Sequence, residues 1–404
     1  MKDYISVLLI MIGWASGQAG LNAQTSLDTL IERALHRAPS IQYFKEKVAQ
    51  ENARSAVEGA LPNPVLQFQY LPAPVETREG PQHLRISVMQ SLGWPGLYQT
   101  RRQVGRLSAQ AFEAQQRQNE RDIRAYIANL YYEGAYWSSY RYIIDEQLQL
   151  LNMLDTIVQE RYRQGQASMV DIERIDISRT ALQWEHSQAR HQLKRIQAIL
   201  QRWTDLPFIE WPRLERLVPP SPPTSSLYLR ISDSSWALAS DSIRWQQARL
   251  IERLRTLQTR PYLSVGSGYI LIGEGKDALI APSVGIQSPI FSTKNRALRK
   301  TGTTEAAIWR YKMKDTHRQL SDLLSQLTAQ YAVATDAFQM HQRQSQLSHH
   351  SLILLTEDYA TGRKGFWEVI NMFNQTFDHR KMALRSQWQQ FHIALEIERI
   401  IGKY

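Results

Sequence analysis

From Gly96 to Leu206, and again from Ile290 to the C-terminus, the chain contains no proline. Proline inside a helix removes a backbone donor and clashes with the preceding turn, so runs this long without it permit very long helices. Within them Ile144, Leu148, Leu151, Val158 and Tyr162, then Ile172, Ile175, Leu182, Ala189, Leu193, Ile196 and Leu200, recur at spacings of three, four or seven. These are coiled-coil spacings. A helix from Leu97 to Gln164 would be about 100 Å long at ~1.5 Å per residue, a rod rather than part of a globule. Gly165 and Gly362 interrupt the two runs, and each is followed by a further heptad-like stretch, so each marks a helix-helix turn.

The two runs are related. Sliding the chain by 197 residues places Pro64-Val65-Leu66 on Pro261-Tyr262-Leu263, Ser91-Leu92-Gly93-Trp94 on Ser288-Pro289-Ile290-Phe291, Tyr162 to Gly165 on Tyr359 to Gly362, and Asp171 on Glu368. One ungapped offset organises the chain as two copies of one unit. We assign residues 24–211 to the first copy, 212–225 to a proline-rich linker and 226–404 to the second.

Each copy opens on a helical segment, Leu27 to Leu61 and about Trp236 to Thr259, after which the period changes. Leu66, Phe68 and Tyr70 alternate with Gln67 and Gln69, and Leu84, Ile86 and Val88 alternate with Arg85 and Ser87. Period two predicts strands, separated by a turn region from Leu71 to Gln82 that holds Pro72, Pro74, Gly80 and Pro81. Leu263 to Ile272 and Leu279 to Ser288 are the matching strands, with Gly273-Glu274-Gly275-Lys276 between them. Four strands cannot close a barrel in one chain, and lipid does not tolerate open strand edges. If the strands enter a membrane, Leu66, Phe68, Tyr70, Leu84, Ile86, Val88, Leu263, Val265, Val284 and Ile286 face lipid, while Gln67, Gln69, Arg85 and Ser87 face a lumen. Copies of the chain must then close the barrel: three would supply twelve strands, and two or four would supply eight or sixteen.

At the N-terminus an apolar run from Ile5 to Ile12 follows Lys2 and leads to Leu21-Asn22-Ala23. Residues 1–23 read as a signal peptide cleaved before Gln24, since the run is well short of the ~20 apolar residues that span a bilayer as a helix. No later segment reaches that length. There is no cysteine, which removes disulfides, thiolate metal sites, a cysteine nucleophile and a thioether-linked lipid anchor.

Enzyme motifs are missing: there is no Gly-x-Ser-x-Gly, no His-Glu-x-x-His and no phosphate loop. The carboxylates Asp171 and Glu173 read as helix N-terminal charges. The net charge of +10 raises nucleic-acid binding, but the basic residues are spread along the helices and an export signal argues against an intracellular target. Ten histidines are scattered, and His349-His350 has neither a third ligand nor adjacent side chains pointing one way on a helix. Neither a resident metal nor a cofactor is expected.

Ala34-Leu35 to Pro39, Leu61-Pro62-Asn63-Pro64 before the first strand, Trp94-Pro95-Gly96 after the second, and Tyr162 to Asp171 with its repeat Tyr359 to Glu368 together resemble the TolC family of outer-membrane efflux proteins. The likeness covers nearly all of the mature chain. It implies a fold that is mainly α with a membrane β-barrel contribution: a homotrimer with a twelve-stranded barrel in the outer membrane and coiled-coil helical hairpins in the periplasm. It also implies an exit duct of a tripartite efflux system, docked to a periplasmic adaptor (membrane fusion) protein and an inner-membrane pump of the RND type. Leu61 to Pro64 and Trp94 to Leu97 look most like the heavy-metal cation branch, with drug efflux or type I protein secretion as the alternative cargo. An exported coiled-coil scaffold is the alternative of a different class, though it has no need of two matched strand pairs.

Residue by residue, the likeness places Glu368 and Asn371 at the constriction of the tunnel tip, Tyr359 and Lys364 at positions that latch neighbouring helices, and Asp171 as a latch partner. Family members often carry aspartate at both constriction positions; Asn371 departs from this and leaves at most one acidic ring. From the residues alone, Glu368 is an acid in a first helical turn, where the helix dipole favours it.

Overall fold

The computed structural model describes residues 19–76, 78, 80–207, 209–220, 235–272, 279–288 and 292–401. The apolar run of the expected signal peptide, the second strand-strand turn at 273–276 and the later part of the linker lie outside them. In order come α1 (Ala19–Arg37), α2 (Pro39–Glu58), β1 (Val65–Val75), β2 (Gln82–Leu92), α3 (Leu97–Arg163), α4 (Met169–Thr204), α5 (Trp236–Gln258), β3 (Tyr262–Ile272), β4 (Leu279–Gln287), α6 (Ser292–Ala360) and α7 (Phe366–Ile401). The first helical segment is not continuous as expected: it breaks at Ala38, because a residue before proline is pushed out of the helical region. β1 also runs through Pro72 and Pro74 into the expected turn. Both prolines fall in the irregular stretch between Tyr70 and Val75, where the ladder to β2 is interrupted, so their missing N–H groups cost no bond to β2.

The chain divides into two compact units, one formed by Gln42–Gln118 with Ser235–Gln319, the other by the remaining described residues. In the first, the four strands make one antiparallel sheet in the order β1-β2-β3-β4. Phe68 lies opposite Ile86 and Ile86 opposite Tyr269; Leu66 lies opposite Val88; Leu263 and Val265 lie opposite Ile286 and Val284. Directly paired residues share a face, so these apolar side chains form one continuous surface. It is open, with Phe68 65% and Val284 75% exposed. The other face carries Gln67, Gln69, Arg85, Ser87, Ser264, Gly266 and Gly268, with Val65, Met89 and Ile270 among them. The division of faces is the one expected from the alternation. Beside the sheet, Ser55 Oγ donates to the Arg102 carbonyl at 2.8 Å, Thr316 donates to Asp241 at 2.6 Å, and the Arg299 guanidinium donates to Thr259 Oγ1 at 2.9 Å.

In the second unit, Ile144, Leu151 and Val158 of α3 pack in one cluster with Ile175 and Leu182 of α4 and with Phe373, Phe377 and Phe391 of α7. Ala189, Leu193, Ile196 and Leu200 continue the buried stripe of α4. Tyr162 breaks the expected pattern: it is 45% exposed, while the half-buried Arg161 turns inward beside it. The described part of the proline-rich segment is pinned to the helices. Leu214 is fully buried; its N–H donates to Ser139 Oγ at 2.8 Å, and Gln387 donates to the Leu214 and Leu217 carbonyls at 3.1 and 3.0 Å. Upstream, Trp211 lies flat against α3 at Gly134, where a Cβ would fall inside the indole. Gly134→Ala is expected to destabilise the protein by about 1–3 kcal/mol through overpacking. Thermal unfolding should show the loss, and the Gly134→Ala/Trp211→Ala pair should lose less than the sum of the singles. Strict additivity would show that the two positions are not coupled.

Candidate functional site at the helix turns

The α3–α4 and α6–α7 turns are built alike. Gly165 and Gly362 have φ of +71° and +78°, a region that costs most residues steric strain but not glycine. Gly165 N–H donates to the Tyr162 carbonyl at 3.0 Å and Gln166 N–H to the Arg161 carbonyl at 2.8 Å; Gly362 N–H donates to Tyr359 at 3.0 Å and Arg363 N–H to Asp358 at 2.8 Å. This paired bonding satisfies carbonyls left orphaned at a helix end.

Around this frame the expected site residues fall into separate groups. Lys364 Nζ and Glu368 Oε2 are 2.9 Å apart across the second turn, so the acid at the expected constriction is paired within its own chain. The hydrogen bond and charge of Glu368 raise the Lys364 pKa. Raising a lysine's pKa stabilises the fold below its ordinary value, and the effect is lost as pH climbs through the raised one. Asn371 is exposed one turn further along α7. Asp171 is engaged locally: its carboxylate accepts from Ser168 N–H at 3.1 Å while Ser168 Oγ accepts from Val170 N–H, completing a capping box at the start of α4, and Arg174 lies at 3.4 Å. No hydrogen bond joins Asp171 to Tyr359; its charge reaches the phenol only at a distance, raising a pKa that burial chiefly lifts and Arg161 opposes.

Tyr359 is 3% exposed, although its repeat equivalent Tyr162 is 45% exposed. What holds Tyr359 is Arg161, a residue the sequence reading did not single out. The Arg161 guanidinium donates to the Tyr359 carbonyl and sits 4.6 Å from its ring centroid, tying the end of α3 to the end of α6. Phe366 packs on the same ring at 5.5 Å, and Arg174 of α4 lies 4.9 Å from the ring of Trp367 on α7. Arginine over an aromatic face is favourable by about 0.5–2 kcal/mol. Two polar atoms at this junction, Arg161 Nε and Tyr359 Oη, are buried without a partner, which makes the contact weaker than its packing implies. The only sequence signal for Arg161 was its place in the repeat, opposite Asp358, which pairs instead with Arg363 at 2.9 Å.

Further from the turns, α3, α4 and α7 are joined by a polar knot. Tyr140 Oη donates to Glu185 Oε2 at 2.8 Å and Lys381 Nζ donates to the same oxygen at 2.7 Å. Burial first, then Glu185, raises the Tyr140 pKa, so the phenol stays a donor across the physiological range. Among the described residues, no group of three or more His, Asp or Glu could hold a metal ion, and His349 and His350 are both exposed.

No sequence-family pattern and no curated protein matches the chain. Solved structures do match. CusC, studied for conformational changes accompanying folding and transmembrane channel formation, aligns with a TM-score of 0.79 at 14% identity over 94% of this chain and 92% of its own. The fold is that of the outer-membrane channels. The outer membrane protein VceC of Vibrio cholerae aligns equally well, at 0.79 and 14% identity over 94% of this chain and 96% of its own. The open-state MtrE channel of Neisseria gonorrhoeae follows at 0.74 and 14% identity, over 93% and 89%. Mainly helical, with four strands in one sheet among its described residues, the chain has the single-subunit fold that the sequence resemblance implied. Among the described residues, no helix is long and apolar enough to cross a membrane.

Arg161→Ala is expected to free the α6–α7 turn, with faster amide hydrogen exchange at residues 359–366 and a stability loss of about 1–3 kcal/mol. Arg161→Lys, lacking the planar face, should recover only part of it. Unchanged protection in the alanine variant would show that the turn is held by other contacts.

Proposed function

We propose that the chain is the outer-membrane exit duct of a tripartite efflux system. One observation carries the reading: a four-stranded sheet with an open apolar face, a more polar opposite face, and, among the described residues, β1 and β4 each paired on one side only. In water such a face and such edges invite aggregation, and in lipid an unpaired edge is too costly to persist. Pairing β4 of one copy with β1 of the next removes both edges, and three copies give twelve strands, the number implied by the resemblance. The apolar face then meets lipid and the polar face encloses water.

In this reading residues 1–23 direct export and two repeats, 24–211 and 226–404, joined by 212–225, form each subunit. The helices extend into the periplasm, where they meet an adaptor and an RND-type pump. The duct is passive. Its tip is closed by the α6–α7 turns, with Glu368 and Asn371 at the constriction and Tyr359, Lys364 and Asp171 among the latching positions, until a partner shifts them. Metal cations are the cargo favoured by resemblance to the heavy-metal branch, as freight rather than as a bound cofactor. If the adaptor and pump that co-purify with the chain instead handle drugs or a polypeptide, the cargo assignment changes and the duct remains.

Detergent-extracted protein should have about three times the mature chain mass and conduct ions weakly until its tip is loosened. A buffer-soluble species without conductance would leave an exported helical scaffold in its place. Glu368→Gln should lower cation preference in planar bilayers by removing the acid and leaving Lys364 unpaired; Lys364→Gln should raise it. Unchanged preference in both variants would take this pair out of the conduction path.

A further inference from the structure

Across the strands, Arg85 is the sole Asp, Glu, Lys or Arg. It belongs to the polar face, in register between Gln69 of β1 and Ile270 of β3, and its side chain is exposed. Its neighbours leave it room: a Cβ placed on Gly268 would lie 3.5 Å from Arg85 Nε, so the guanidinium stem passes over a residue with no side chain. Among the described residues no carboxylate pairs with it. An arginine on the apolar face would be strongly destabilising in a bilayer, whereas on the other face it is free to act on whatever passes.

From this placement we infer that Arg85 sets the charge preference of the barrel section, disfavouring bare cations and favouring cargo that is anionic or neutral. The inference rests on the trimeric-barrel reading above. Twelve strands spaced about 4.8 Å apart and tilted about 40° close at a radius of about 12 Å. Three inward arginines then bring their charges to within about 6 Å of the axis, a distance shorter than the ~30 Å Debye length at 0.01 M salt and about twice the ~3 Å length at 1 M. By Coulomb's law with screening, the ring alters monovalent ion partitioning on the order of tenfold at the low salt and under about twofold at the high one. A divalent metal ion meets twice the repulsion of a monovalent one. A metal cargo therefore passes this section more readily as a neutral or anionic complex than as the naked ion.

The test is the reversal potential of the detergent-extracted protein in planar bilayers under a potassium chloride gradient, near 0.01 M and near 1 M, for the native chain, Arg85→Gln, Arg85→Lys and the neutral control Ser87→Ala. Each is also measured in the Arg161→Ala background, so that a closed tip does not mask the barrel. The expected result is a several-fold shift toward potassium in Arg85→Gln at low salt, nearly absent at high salt, with Arg85→Lys and Ser87→Ala like the native chain. Conducting trimers whose reversal potential is the same with and without Arg85 at low salt would overturn the inference while leaving the duct intact. If the native chain gives no conducting species, the barrel reading itself fails and the inference falls with it.

Discussion

Backbone hydrogen bonding is the constraint on which the rest depends. Each strand residue carries an acceptor and, unless it is proline, a donor, and among the described residues β1 and β4 each leave one side unpaired. The described residues supply no further strand for those rows, since the sheet they form has four. The continuous apolar face adds a second demand, since Leu66, Phe68, Val284 and Ile286 have no partner surface within the described chain. The proposed arrangement meets both demands: further copies would close the sheet and lipid would cover its outside.

The helical part is held together differently. Heptad packing buries Ile144, Leu151, Ile175 and Phe373 without directional bonds. Direction comes from a few polar ties: Arg161 to Tyr359, Arg174 over Trp367, and the Tyr140, Glu185 and Lys381 knot. Such ties are specific in geometry and modest in energy once desolvation is counted. The tie nearest the turns leaves two buried polar atoms unpaired, which lowers its net contribution.

Much of this was legible in the residues. Missing proline and three-four spacing marked the helices; period two marked the strands and sorted their faces; Gly165 and Gly362 marked the turns. The misreadings were mostly of local detail. Pro72 and Pro74 read as turn residues, but β1 carries them in an irregular stretch where its ladder to β2 lapses. Leu27 to Leu61 read as one helix, although Pro39 breaks it. Lys364 and Glu368 were each assigned a role at the tip, and their four-residue spacing was not read as a mutual ion pair.

Periodicity, proline and glycine act through the backbone within a few residues, so the sequence by itself determined the kind of each element, the face of each strand residue and the places where the rods turn. Only the tertiary structure decided that Tyr359 is buried while its repeat equivalent Tyr162 is exposed, that Arg161 caps a carbonyl on the other hairpin, and that Asp171 is spent on its own helix cap. Arg161 and Tyr359 stand 198 positions apart. Two copies of one motif become unlike only when they pack against each other, and no local pattern records which copy takes the inner place.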